Sequence, residues 1–515
     1  MRVIQTLFIC LLILFLPGAN AGAAEEKIPL TLKECVTGAL ENNLRIVIER
    51  YNPELADASL NMAKEMFLPR FDLSVGRQNT ESPSYWGLQG SDTQISKYND
   101  YSLAVLQQIP TGGSFSLTLE NYSSDTNQSF QLINPRFGST VRLEFTQPLL
   151  KNFGSKISRR EILIARNNLE LSRQQLKSVV LETIYSAQEA YWNLYFAVEN
   201  NKVKNQSLEL ARDLLRKNQK EVEVGKLAKI EILNAETVVA QREADILQAE
   251  SLVLRSEDML RNILNRDLDA DESPIPFDLR DQPEFEIREV ALDRAIEAAL
   301  SHRPDFLAAH TSIETRELNL SVAKNQLLPA LDFRLSYWSP GISGNRILYL
   351  NDNPLTGIVI GTQEGSGINS LKDAFKFLYN NWSFGVTLTI PLSSLISRAD
   401  YARARIELDK SLAEKENTKR QILLEVRDAA REIETNSKRV KAYRLTRELA
   451  ERRLKAEERK LIVGLTTNYF VLQFQEELAT ARSQEIKALV DYNLALAKLE
   501  RATGLSLQSH NISLQ

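Results

Sequence analysis

The chain has 515 residues, enough for two or three ordinary domains or one elongated one. Its 63 Lys and Arg against 67 Asp and Glu give a net charge of −4, which argues against nucleic acid as a partner. Two cysteines and three histidines leave no paired-Cys zinc pattern and no disulfide framework, and no Ser/His/Asp set or Gly-rich phosphate loop is present.

Residues 1–24 read as a secretory leader. Arg2 supplies the positive charge, 7–16 form the apolar core, Pro17-Gly18 break it, and Ala19, Ala21, Ala23 and Ala24 offer cleavage sites. The apolar run is about half the ~20 residues a spanning helix needs, and no later stretch is long enough. Cys10 sits inside that core with apolar residues after it, a poor acceptor for a lipid. Cys35 is then the only mature cysteine, expected as a small core residue on a helix.

A first structural repeat covers 25–266. It begins with a helix over 31–67, capped by Thr31 with Glu34 completing a capping box, ended by Pro69, and expected to kink or break at Pro53. The period then changes to two. Phe71, Leu73 and Val75; Tyr101, Leu103 and Val105; Phe115, Leu117 and Leu119; and Val141, Leu143 and Phe145 each alternate with small or polar residues, predicting four strands within 71–148. Helices follow at 155–223 and 228–265. At ~1.5 Å per residue the first of them is roughly 100 Å long, too long for a compact globule, so it needs partner helices along its length. Residues 267–288 carry Pro274, Pro276 and Pro283 and read as a linker.

A second repeat covers 289–504. It has a helix at 290–327, two strands within 331–391, a Gly- and Asn-rich loop at 339–370, and helices at 396–461 and 466–502; a tail, 505–515, closes the chain. The duplication is visible in landmarks. Ala39-Leu40-Glu41-Asn42-Asn43 and Phe67-Leu68-Pro69 recur 260 residues on, as Ala299-Leu300-Ser301-His302-Arg303 and Leu327-Leu328-Pro329. Thr146-Gln147-Pro148-Leu149 recurs as Thr389-Ile390-Pro391-Leu392, and Val224-Gly225-Lys226 as Val463-Gly464-Leu465.

Alternation with polar residues such as Asp72, Arg142, Glu144, Asp332 and Arg334 fits a transmembrane β-barrel with a wet lumen, or else a soluble sandwich. Tyr98, Tyr101, Tyr122, Tyr337, Trp338, Tyr379 and Trp382 cluster at strand ends, as an interfacial girdle requires. Six strands are too few for a wide pore in one chain, so closure needs several chains.

In this ordered, duplicated set of landmarks the chain resembles the TolC-like outer-membrane efflux proteins over nearly all of its mature length. The resemblance implies an α+β membrane protein of two tandem helix–strand–strand–helix repeats. It implies an outer-membrane β-barrel shared by a homotrimer and continued by a long periplasmic α-helical barrel in a Gram-negative bacterium. It also implies a passive exit duct, not an enzyme and without cofactor or metal, serving efflux or type I secretion. Its expected partners are a periplasmic adaptor, an inner-membrane pump of RND, ABC or MFS type, and outer-membrane lipid. Adaptor docking is expected at the tips, Val224, Gly225, Lys226 and Leu227 with Val463, Gly464, Leu465 and Thr466. Some family members carry an acidic constriction just after the second tip. Here those positions are Phe470 and Gln473, and their first-repeat counterparts Glu231 and Asn234 make Glu231 the acidic gate candidate. The alternatives are a non-conducting periplasm-spanning tether and an adhesin-like barrel that binds through 339–370.

Overall fold

The computed structural model describes residues 27–85, 87, 90–266 and 275–512. The leader at 1–24 and the first part of the linker lie outside the described residues. The described residues divide into two compact units, one within 48–178 and 300–424, the other within 27–47, 179–299 and 425–512.

The first of these units holds the large sheet. Strands β2 (Arg70–Pro83), β3 (Thr93–Gln108), β4 (Ser114–Thr126), β5 (Ile133–Pro148) and β7 (Ala330–Tyr349) run antiparallel in that order. The far edge of β7 pairs with β9 (Asn381–Thr389) along its first half and with the short β8 (Val359–Gln363) at its end. The sheet is therefore six strands across, with β2 and β9 at its edges.

Register explains why the alternation is so regular. Phe71, Val105, Leu117, Leu143, Tyr337 and Trp382 lie side by side in one row, and Leu73, Leu103, Leu119 and Val141 in the next. Directly paired residues share a face, so these rows form an apolar belt across all six positions. The intervening row, Asp72, Ala104, Thr118, Arg142, Trp338 and Asn381, and the adjoining Glu120 and Glu144 occupy the other face. A one-residue slip in β4 or β5 would put Glu120, or Arg142 and Glu144, into the belt. The girdle is smaller than expected. Tyr101, Tyr337 and Trp382 are on the apolar face, but Tyr98, Tyr122 and Trp338 are on the polar one, where Arg136 covers the Tyr122 ring and Arg142 the Trp338 ring.

Residues 339–370 are not one loop. Strand β7 runs on to Tyr349, and helix α8 (Gly367–Phe375) folds back onto β5 and β7. At Gly341 the glycine that reads as a loop residue reflects close packing. A Cβ on Gly341 would fall 2.0 Å from the Ser370 carbonyl oxygen and 2.7 Å from the Ala374 nitrogen. The helix therefore rests directly on the strand backbone.

Helices beside the sheet make contacts both between the repeats and within the second one. Helix α2 (Leu44–Glu65), the start of α4 (Arg160–Glu223) and α7 (Pro304–Asn325) bury Leu60, Leu169, Ile313, Leu318 and Val322. The Asn167 amide donates to Thr315 Oγ1 at 2.9 Å, and Arg316 pairs with Glu407 of α9 (Leu395–Ile462) at 3.0 Å.

Pro53 does not interrupt its helix; α2 passes through it. The break falls earlier, at Asn43, between α1 (Leu32–Asn42) and α2, where Asn43 is extended and its Oδ1 accepts from the Arg45 N–H at 3.0 Å. The second repeat breaks at the equivalent Arg303, between α6 (Leu292–His302) and α7. There Pro304 forces the preceding residue out of helical geometry. Two chemistries thus hold one inherited joint.

The second unit is helical, and α4 and α9 contribute their later parts to it. Its other helices are α1, α5 (Ile230–Leu264), most of α6, α10 (Asn468–Thr503) and the short α11 (Ser506–Ser509); the short α3 (Ser155–Ser158) belongs with the sheet. Cys35, Ala39, Ile184, Ala187, Tyr191, Leu260 and Leu264 are fully or almost fully buried. The Cys35 thiol donates to the Ala187 carbonyl, and burial pushes it up to about 12. Part of the 267–288 linker is ordered as β6 (Phe277–Leu279), parallel to β1 (Ile28–Leu30). Tyr191 ties these strands to the core, donating to Leu30 O at 3.3 Å and accepting from Asp281 N at 3.1 Å.

Candidate functional site: the hairpin tips

Two helical hairpins, α4–α5 and α9–α10, end in the same turn. In the first, Lys226 N–H donates to Glu221 O at 2.8 Å and Gly225 N–H to Val222 O at 3.0 Å; in the second, Leu465 donates to Lys460 O at 2.9 Å and Gly464 to Leu461 O at 3.1 Å. Both glycines have φ +74, and a Cβ on either would meet no atom within 4 Å. These are matched Schellman caps, and they satisfy two otherwise orphaned carbonyls at each tip. Val224 is 68% exposed and Val463 66%, so each turn presents a branched apolar side chain to solvent. Gly225→Ala and Gly464→Ala are each expected to cost about 1 kcal/mol through backbone strain alone, read as a small fall in thermal midpoint without loss of core packing.

The cluster behind the turns comprises Ala211 and Leu214 of α4, Ala235 of α5, Leu454 of α9, and Val471, Leu472, Phe474 and Leu478 of α10. Within this apolar setting the Asn468 amide donates to Asn218 Oδ1 at 2.7 Å, and Asn218 donates to Glu231 O at 3.4 Å. Buried amides of this kind fix register because a shifted alternative leaves them unpaired.

Arg242 is 3% exposed. Its Nη1 donates to Ser207 O at 2.6 Å and lies 3.4 Å from Gln475 Oε1; Nη2 donates to Leu472 O at 3.1 Å; Nε is 3.6 Å from Glu476. Burial lowers its pKa, opposed by the charges of Glu476 and Asp245. Lys204 completes the network, 2.9 Å from Asp245 and 3.5 Å from Glu476. Burial works against the Lys204 ammonium, but its bonds to Asp245 and Glu476 outweigh that and raise its pKa. One guanidinium thus joins α4, α5 and α10. Beside it runs a groove of about 780 Å³, lined among others by Asp245, Thr446, Tyr469, Gln473, Glu476 and Glu477.

At the second turn Thr466 donates to Glu457 Oε1 at 2.6 Å and Lys460 pairs with the other carboxylate oxygen at 3.0 Å. These bonds hold the Glu457 pKa below its ordinary value. Because the folded value is the lower one, the contribution is present above the unfolded pKa of about 4.3 and is lost as pH falls through the folded value. Thr466→Val should move that acid loosening to higher pH, measured as amide exchange at Leu465 and Thr466 corrected for intrinsic rates.

Of the sequence-derived candidates, Glu231 and Asn234 lie on the first turns of α5, and Phe470 and Gln473 on those of α10. Glu231 is half-buried and makes no ion pair among the described residues; Asn234 is exposed. The Phe470 ring packs between those of Tyr469 and Phe474, and Gln473 donates to Glu477 at 3.2 Å. Sequence reasoning missed Arg242, Asn218 and Asn468. Their only signal was a polar residue at a position the helical period assigns to the interior. Among the described residues no group of His, Cys, Asp and Glu is arranged to hold a metal ion, and no helix is long and apolar enough to cross a membrane.

The family model for "Outer membrane efflux protein" matches residues 114–266 and 295–505, more than half the chain. The chain belongs to the outer membrane efflux protein family. One curated relative, the alkaline protease secretion protein AprF of Pseudomonas aeruginosa, is 22% identical over 337 residues, 65% of this chain. The match spans 64% of that relative's length. Among solved structures, the Campylobacter jejuni CmeC outer membrane channel aligns with TM-score 0.64 at 16% identity, over 94% of this chain and 90% of its own. The open state of the Neisseria gonorrhoeae MtrE outer membrane channel aligns with TM-score 0.60 at 16% identity, over 92% and 89%. At these identities the likeness is one of fold. Family membership places the chain at the outer membrane.

Proposed function

We propose that this chain is a passive exit duct of the outer membrane, and that three copies close one barrel of eighteen strands. The observation that carries this reading is the register: Phe71, Val105, Leu117, Leu143, Tyr337 and Trp382 make one continuous apolar row across the sheet, with Arg142, Glu144 and Glu120 on the opposite face. A tether or adhesin has no need of a charged interior face bearing Arg142, Glu144 and Glu120. The paired tip turns suit an adaptor that repeats the same contact on both hairpins, through Val224, Gly225, Lys226 and Leu227 and through Val463, Gly464, Leu465 and Thr466. Cargo would be handed over by an inner-membrane pump of RND, ABC or MFS type, and the likeness to a protease secretion protein supports type I secretion alongside efflux.

Three Glu231 carboxylates around one axis, with Asn234, Phe470 and Gln473 near them, are the proposed constriction, and clustered carboxylates favour cations. The test is conductance of the purified protein in planar bilayers. Discrete openings are expected, and Glu231→Ala should enlarge them or abolish cation preference. Openings unchanged by the substitution would move the gate elsewhere. No conductance from a folded trimer, with the adaptor added, would overturn the duct.

A further inference from the structure

We propose that helix α8 and the residues that follow it form an in-plane anchor in the outer leaflet of the outer membrane, with apolar side chains in the acyl boundary and two lysines at the lipid phosphates. This rests on the outer-membrane reading above. The helix packs against β5 and β7. Gly341 lies directly beneath it and pairs in register with Ser139, and Ser139 belongs to the same face as Val141, Leu143 and Phe145, so α8 covers the lipid side of the sheet, not its polar side.

Its seat is specific. Ser370 and Ala374 are fully buried against the sheet. Ser139 and Ser370 share a hydrogen bond at 2.8 Å, and the Ser370 N–H donates to Ser343 Oγ at 3.1 Å, while Ser343 donates to Ser366 O at 2.8 Å. These polar groups stand on the belt's own face, where lipid would leave them unsatisfied, and the helix covers them.

What α8 presents outward is the informative part. Ile368 is 62% exposed and Phe375 54%, and Phe377, Leu378 and Tyr379 continue the exposed apolar surface. No described element covers it. The surface is continuous with the belt, because the Phe377 ring lies 5.8 Å from that of Tyr337, a belt residue. Exposed Lys372 and Lys376 lie beside it. A helix with an apolar shoulder, flanking lysines and a following Tyr has the composition of one lying in a membrane interface. It sits toward the strand ends remote from the long helices, since Leu68-Pro69 and Leu327-Leu328-Pro329 begin β2 and β7 at the other end. Lipid is favoured over a neighbouring copy because α8 seats on the face of the sheet, on β5 and β7, and a copy that extends the sheet would pair along the free flank of β2 or β9.

The experiment uses the protein without the leader and its Cys10, in vesicles of phosphatidylcholine and phosphatidylglycerol. Phe375→Cys and, separately, Ile368→Cys are labelled with a bimane. Native Cys35 is buried and its thiol is pushed up to about 12, so it stays silent. Quenching by phosphatidylcholine carrying a shallow doxyl group is compared with quenching by aqueous iodide. Val386→Cys in the belt and Leu355→Cys, exposed and outside the sheet, are the references. The proposal expects both α8 labels to be quenched several-fold more by doxyl lipid than Leu355→Cys, and protected from iodide. Lys372→Glu with Lys376→Glu should reduce that quenching in phosphatidylglycerol vesicles more than in phosphatidylcholine alone. Iodide quenching equal to Leu355→Cys overturns it, as does protection from both quenchers, which would mean a protein covers the site. If Val386→Cys is also unquenched by lipid, the outer-membrane reading itself fails; if Val386→Cys is quenched and the α8 labels are not, only the anchor fails.

Discussion

Leu117→Arg is expected to abolish stable insertion, while Ser116→Arg, one residue away on the same strand, is expected to be tolerated. Leu117 lies in the apolar belt between Val105 and Leu143, and Ser116 faces the other way, directly paired with Glu144. An Arg near the bilayer midplane of a β-barrel costs about 2–4 kcal/mol. Three copies in one assembly raise that to roughly 6–12 kcal/mol, comparable to the whole stability of a domain. On the polar face the new guanidinium meets water and a carboxylate, worth about 0–1 kcal/mol in its favour. The measurement is the fraction of chain recovered as folded oligomer after reconstitution into lipid, read on an unboiled gel. Equal recovery of the two variants would mean that the belt does not face lipid.

Arg242→Met is expected to loosen the tips and raise conductance. Methionine keeps the apolar stem but leaves Ser207 O and Leu472 O without their charged donor. Glu476 keeps Lys204, so the loss is that of charge-assisted bonds, not of a stranded carboxylate. About 3 kcal/mol less attraction between α5 and α10 is a shift of roughly 100-fold toward separated hairpins. Single-channel recording should show longer or larger openings, and amide exchange should rise in the first turns of α10. Arg212→Met is the control, since Arg212 is exposed and pairs with Glu209 and Glu243 at the surface. If the two substitutions behave alike, the buried guanidinium is no latch.

The parts legible in the sequence were those written by period. Alternation at Phe71, Leu73 and Val75 or at Val141, Leu143 and Phe145 marks both a strand and the face on which its apolar residues gather. The recurrence of Val-Gly marks two turns whose caps agree bond for bond. What was not legible depended on neighbours remote in sequence. Gly341 reads as a loop residue until α8 is seen resting on it. Pro53 reads as a break, but the joint is set by Asn43, and its amide also donates to Ile263 O at 2.9 Å, 220 residues away. Arg242 and the Asn218–Asn468 pair occupy positions the helical period assigns to the interior, but period alone does not say which remote partners would satisfy a polar group there. The constriction at Glu231 rests on alignment of the two repeats, since nothing in one chain shows what meets at the axis of three.

The unequal edges of the sheet bear on how an assembly would come apart. Strand β2 offers fourteen residues along its free side, but β9 offers only nine. A junction between copies is limited by the shorter partner, whereas the internal β2–β3 ladder runs the full length of β2. In the proposed trimer, heat or pulling force should therefore unzip the rim at three seams and release intact protomers, each still carrying its own panel. Such a freed panel has two bare strand flanks and one greasy side. Outside a membrane it is a ready template for aggregation until neighbouring copies close around it.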